Sequence, residues 1–169
     1  MQEFQSFGSF GRHLAKVAAI GEVVTHEAAK AGAQHIANAA KDRIGEYQDA
    51  TGPYPAWVNL APATVLDRIA KGFSPDDPLL RSGELRDSIK VVAEGNVAGA
   101  VSDDMVALYQ EMGTATIPPR PFLGPAGYNS KKGIERVMVD ALMLWIGGAR
   151  VGEVRLLLKE IANKRGEAD

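Results

Sequence analysis

Apolar positions recur along most of this chain with the three-to-four spacing of a helix rather than the alternation of a strand. From about residue 11 to 48 the sequence is alanine-rich. Val17, Ile20, Val24, Ala28, Ala31 and His35 or Ile36 fall on one helical face there. Alanine is the best helix former, whereas Gly21, Gly32 and Gly45 weaken the run, so it reads as one bent helix or two. "DATGPYPAW" ends it, because Gly-Pro and Tyr-Pro cannot continue a helix. "APATVLDRIAKG" predicts a short helix with Pro62 in its first turn and Gly72 as its stop. "FSPDDP" is a turn-rich linker, and "RSGELRDSI" predicts a helix of one to two turns starting at Ser82.

The period then changes. In "IKVVAEGNVAGAVS", Gly95-Asn96 sits between two short β-prone runs, which is a hairpin signal. "SDDMVALYQEMG" predicts a helix capped by Ser102 or Asp103 and closed by Gly113, and a proline loop follows. "SKKGIERVMVDALMLWIGG" is amphipathic, with Ile134, Val137, Met138, Ala141, Leu142, Leu144 and Trp145 on its apolar face. A last helix follows Gly147-Gly148 and ends in a charged, frayed tail at 166–169. The fold expected is a helix-rich α+β single domain over 11–165, with a long N-terminal helix, a small antiparallel sheet and C-terminal helices. Residues 1–10 read as a mobile arm. Its Phe4, Phe7 and Phe10, spaced by three, suit either an amphipathic lead-in or a docking arm that orders on a partner.

Composition narrows the chemistry. A chain of 169 residues is long enough for one domain with its own core. It has no cysteine, so disulfides and thiolate chemistry are excluded and a reducing cytoplasm suits it. A formal charge of -2 gives no global reason to bind nucleic acid. The most apolar windows, "VMVDALMLWIGG" and "VRLLLKEIA", are short and charged, whereas a span needs about 20 apolar residues. The N-terminus lacks a cationic start with a long apolar run, so no cleaved signal is expected and the product reads as soluble and intracellular.

Candidate reactive groups are sparse. His26 and His35 are nine residues apart, not the i, i+4 spacing that places two ligands on one helix face, and with His13 they read as surface or core-edge residues. The acidic pairs Asp76-Asp77 and Asp103-Asp104 adjoin turn signals, where Asp caps helices and closes turns. Lys131-Lys132 opens a helix, where the dipole disfavours cations, so it marks either a solvated face or a contact to an acidic partner or phosphate. No nucleophile elbow, phosphate loop or dinucleotide fingerprint is present. No catalytic residue, metal ligand or cofactor is expected.

The most distinctive stretch is "YQEMGTATIPPRPFLGPA", Tyr109–Ala126. Pro118, Pro119 and Pro121 fix φ and bias Ile117 and Arg120 toward extended geometry. A stiff loop loses little entropy on binding. Ile117, Phe122 and Leu123 offer apolar anchors and Arg120 a forked donor, so 117–123 reads as a contact element. The same residues also suit a loop that lays Phe122 into its own core and leads into a helix.

The order of these motifs resembles the tail-component family of tailed bacteriophages, which comprises neck and tail-completion proteins. The resemblance rests on Leu85, Arg86, Ser88 and Ile89, then Tyr109, Gly113-Thr114, and the signature Pro118 through Ala126. "AWVNLAPATVLDRIAKG" followed by "PLLRSGELRDSI" is also similar to the related virion-morphogenesis proteins. Together these cover residues 54–146. The resemblance implies a non-enzymatic virion protein, assembled in the host cytoplasm as a ring of identical subunits. That ring would join the head connector or head-completion protein to the tail tube, or terminate the tube, with DNA passing through its lumen without specific binding. Two readings of other classes stand beside it: an adaptor that binds a cellular partner through the same loop, and a small hydrolase using an acidic pair such as Asp103-Asp104.

Overall fold

The computed structural model describes residues 5–163, with side chains as far as residue 160. Phe4 and the tail at 166–169 therefore lie outside the described residues. The order is α1 (Phe7–Asp42), α2 (Pro62–Ala70), α3 (Glu84–Ser88), β1 (Lys90–Glu94), β2 (Val97–Val101), α4 (Met105–Met112), α5 (Leu123–Ile146) and α6 (Val151–Asn163). The fold is helix-rich α+β, with a two-stranded antiparallel sheet.

The alanine-rich run is one unbroken helix, α1, of 36 residues. Its glycines cost helix propensity but stand where neighbours come closest. A Cβ on Gly21 would lie 2.6 Å from Trp145 Cζ2, and one on Gly32 would lie 3.3 Å from Ile134 Cγ2. These approaches make α1 and α5 an antiparallel pair, with the end of α5 beside Val17 and Gly21 of α1. Ala28, Ala31, Ala37 and Ala40 are buried along the same helix, so small side chains let several elements gather round it. The helix starts earlier than the arm expected over 1–10. Ser6 and Ser9 form a reciprocal cap, each backbone N–H donating to the other's hydroxyl, which makes residues 7–10 the first turn of α1. Phe7 and Phe10 are both exposed on it.

The hairpin forms at the predicted turn, with Glu94 paired to Val97 across Gly95-Asn96. Gly95 takes φ +55°, the left-handed backbone that a glycine supplies in the first position of a tight hairpin turn. The hairpin tip rests on α1: Thr25 Oγ1 donates to Asn96 Oδ1, and His26 Nδ1 meets the Gly95 carbonyl oxygen.

Three further helix starts differ from the expected ones. α3 begins at Glu84, because Gly83 at φ +92° supplies the turn into it; Ser82 Oγ only accepts from the Glu84 N–H at 3.5 Å. α4 is capped by Asp104, whose carboxylate accepts from Val106 N at 2.8 Å, while Asp103 pairs with Lys90 at 3.2 Å. α5 begins at Leu123 instead of Ser130, so Lys131-Lys132 lie two turns inside the helix rather than at its opening. Pro125 fits there because first-turn N–H groups have no intrahelical partner to lose.

Two core clusters sit at the two ends of the α1–α5 pair. One gathers Ala37, Ala40, Ile44, Trp57, Leu85, Ile89, Ala107, Phe122 and Ala126. The other gathers Val24, Ala28, Ala31, Val137, Ala141, Val154 and Leu158, and so holds α6. Phe122 is fully buried at 0% exposure and is the largest such side chain. Phe122→Ala should lower the unfolding free energy by about 3–5 kcal/mol, the cost of a core aromatic truncation, measured by urea denaturation. A loss under 1 kcal/mol would contradict this packing role.

Candidate functional site

The segment from Ser102 to Ala126 carries most of the unusual sequence, and its structure is built by side chains that turn inward. Ser102 Oγ accepts from Asp104 N, and Asp104 then caps α4. The helix ends at Gly113, with φ +74°. A Cβ there would lie 3.0 Å from both the nitrogen and Cδ of Pro119, so the loop folds tightly back over the helix end. Thr114 organises this reversal. Its N–H donates to the Ile117 carbonyl at 2.8 Å, and its hydroxyl accepts from the N–H of Ile117 at 3.0 Å. The Arg120 N–H returns to the Gln110 carbonyl at 2.6 Å.

The contact residues expected in the loop divide into two sets. Pro118 and Pro119 are exposed, and Ile117 and Leu123 are half-buried. Arg120, Pro121 and Phe122 are buried, as in the second reading of the loop, the one that lays Phe122 into its own core. Arg120 reaches across the molecule: its Nη2 donates to the carbonyls of Val58 at 3.0 Å and Asn59 at 3.2 Å. Burial holds its pKa below the usual arginine value. Pro121 accepts from Trp57 Nε1 at 3.0 Å. The fork of Arg120 thus ties the loop to the 57–59 segment, as a structural staple.

Residues of the upstream motif meet the loop in the same cluster. Leu85 and Ile89 pack with Phe122. Ser88 Oγ donates to Leu85 O and shares a 2.7 Å hydrogen bond with Ser102 Oγ, joining α3 to the start of the α4 segment. Gly113 and Thr114 form the turn, whereas Arg86 and Tyr109 are exposed.

The residue that organises this end was not singled out in the sequence. Glu111 Oε2 accepts from the N–H groups of Phe122 and Leu123 at 2.8 and 2.9 Å, and Oε1 accepts from Gly124 N at 2.7 Å. One carboxylate therefore caps the start of α5, where free N–H groups and the helix dipole favour negative charge. Arg43 lies near it. Burial lowers the Arg43 pKa, and the Glu111 charge opposes that shift.

This cap decides which way α4 faces. Ala107 and Glu111 point into the protein, so the positions opposite them point out. Met105, Leu108, Tyr109 and Met112, at i, i+3, i+4 and i+7, are 56%, 52%, 42% and 72% exposed. The helix is inside-out, with its acidic residue turned in and an unbroken apolar face turned to solvent. Beside it lies a cleft of 560 Å³, lined among others by Arg68, Glu84, Asp104, Gln110, Ile117 and Arg120. The spacing of the four apolar residues was legible in the sequence, but such a stripe ordinarily faces the core.

The other candidate groups have structural partners. Asp76 accepts from the Tyr47 hydroxyl at 2.6 Å; burial, and then this bond, raise the Tyr47 pKa. Lys90 holds the Asp103 carboxyl below its ordinary range. Among the described residues no group of three or more His, Asp or Glu converges to hold a metal ion, and no helix is long and apolar enough to cross a membrane.

No protein-family model matches the chain, and no curated protein or solved structure matches it either. The functional reading therefore rests on residues and geometry. Glu111→Gln, which replaces two charged acceptor oxygens by one neutral one, should lower stability by about 2 kcal/mol. Hydrogen exchange at the amides of residues 122–124 should speed up with it. Unchanged protection there would refute the capping role.

Proposed function

We propose that this chain is a structural virion protein of a tailed bacteriophage. It forms a ring at the head–tail interface that joins the head connector to the tail or terminates the tail tube. Two lines of support meet at one place in the molecule. The resemblance to the phage tail-component family runs through Leu85–Ile89 and Tyr109–Ala126. The second of these stretches begins in the last turn of the inside-out helix α4, at Tyr109, and includes Met112.

The outward face of α4 is the observation that carries the reading. Fully burying an aliphatic or aromatic side chain contributes about 1.5–3 kcal/mol, so four roughly half-exposed ones forgo about half of that each. A folded monomer gains nothing from holding such a face in water, whereas a subunit that buries it against a neighbour does. The face is rigid. It is held from behind by Glu111 and flanked by a loop whose exposed tip is Pro118-Pro119. Rigid presentation limits the entropy lost on assembly.

A closed ring needs two different faces on each subunit, because its contacts are heterologous. A second apolar surface lies on the last turns of α5, where Met138, Val139, Leu142, Met143 and Ile146 are exposed. The subunit's partners are further copies of itself, the connector or head-completion protein, and the tail-tube protein. A formal charge of -2 suits a lumen through which DNA passes without being bound specifically.

Met112→Lys should leave stability within about 0.5 kcal/mol, as expected of an exposed site, while preventing assembly. Urea denaturation and light scattering check the two halves of this prediction. Electron microscopy of lysates from a phage lacking the gene tests the role itself. Separate filled heads and tails indicate joining, and tails of abnormal length indicate termination. Normal infectious particles would overturn the proposal.

A further inference from the structure

The hairpin is a sheet of two strands, so each strand keeps one edge that the other does not cover. The two-residue turn makes Glu94 and Val97 a hydrogen-bonded pair, and every second pair after it is bonded too. Lys90, Val92 and Glu94 therefore direct their backbone groups to β2, while the N–H and C=O groups of Val91 and Ala93 point away from it. Among the described residues these outward groups meet no donor or acceptor. A row of unpaired backbone groups at strand spacing is matched by another extended chain. The side chains divide by face. Val91 packs on the core beside Ala100, whereas Lys90, Val92 and Glu94 are exposed.

We infer that the free edge of β1 pairs antiparallel with β1 of a second copy, about a two-fold axis at Val92, to make one continuous sheet. The strand's own sequence, Lys-Val-Val-Ala-Glu, selects this occupant. In that register Lys90 faces Glu94 of the second copy, Glu94 faces its Lys90, and Val92 faces its Val92. All of these are non-hydrogen-bonded pairs, the class in which opposite side chains come closest. Val91 and Ala93 exchange backbone hydrogen bonds with Ala93 and Val91 of the second copy, which satisfies every outward group. A shift of two residues either way loses half of those bonds within the strands and sets no lysine opposite a glutamate. Glu94 makes no ion pair among the described residues. Lys90 holds Asp103 at 3.2 Å, but both side chains are mostly exposed, and an ammonium has donors to spare for a second carboxylate.

Packing distances exclude the other edge. α1 lies mainly over β2 rather than β1. Copies joined through β2 would set their α1 helices about one strand spacing apart, roughly 5 Å, whereas packed helices need about 8–10 Å. Joined through β1, the same helices stand about three spacings apart, roughly 14 Å. The contact is isologous and closes at two copies. It goes beyond the ring reading and does not depend on it, because it uses neither the α4 face nor the end of α5.

The absence of native cysteine allows a direct test. The full chain carrying Val92→Cys is oxidised in solution at a concentration where sedimentation shows self-association. The expected product is a disulfide-linked dimer, formed faster than from Gly99→Cys, the position paired with Val92 on β2. Glu94→Lys and Lys90→Glu should each weaken association about tenfold, and mixing the two variants should restore it, since the mixed dimer regains both opposite-charge pairs. Faster linkage of Gly99→Cys would move the contact to β2, and a mixture no tighter than its components would remove the charge pairing. Either result overturns the inference. So does a chain that self-associates without linking Val92→Cys, or one that stays monomeric. The ring reading is decided separately, by Met112→Lys and by the particles.

Discussion

The carboxylate of Glu111 carries more of this structure than any other single group. By accepting three backbone N–H groups at 2.7–2.9 Å it starts α5 at Leu123, two turns before the charged run that looks like a helix opening. The extra turns bring Phe122 and Ala126 into the core beside Ala37 and Ala40. The same contact pins α4 by its inner side. A helix that must point a carboxylate inward has to turn its opposite face outward, and here that face is Met105, Leu108, Tyr109 and Met112. One buried interaction thus builds the loop, the start of α5 and the exposed apolar surface together.

The rest of the architecture answers a different constraint, the closeness of packing around α1. Its buried alanines and glycines keep the helix narrow, so α5, α6 and the hairpin all lie against it. The core divides into two clusters along its length, and the antiparallel α5 contributes to both. α6 serves the Trp145 end, and α3, α4 and the 57–59 segment serve the Phe122 end. The surfaces proposed for the ring lie at these two ends. That placement makes the ring contact possible, since a surface at each end can join one copy to the next.

The proline loop shows how a binding-like motif can be mostly structural. Its arginine and phenylalanine would be natural anchors for a partner, yet both point inward. Arg120 satisfies the carbonyls of Val58 and Asn59, and Phe122 fills the core. The part left for contact is the rigid Pro118-Pro119 tip and the helix that precedes it. The motif therefore acts on assembly by holding α4 in place, which joins the structural reading of the loop to the functional one.

The sequence by itself determined the elements whose signals are local. The hairpin at Gly95-Asn96, the helix from Pro62, the stop at Gly113 and the apolar faces of α1 and α5 follow from turn chemistry and period. So does the helix-rich α+β class. Only the tertiary structure decided what depends on partners distant in sequence. Glu111 is one acid among many until the N–H groups of residues 122–124 arrive beside it. The unity of α1 across Gly21 and Gly32 follows from Trp145 and Ile134, more than 100 residues away. The outward face of α4 could not be read from its period, because a stripe at i, i+3, i+4 and i+7 records which residues share a side. Which side faces water is set by the strongest interaction on the other face.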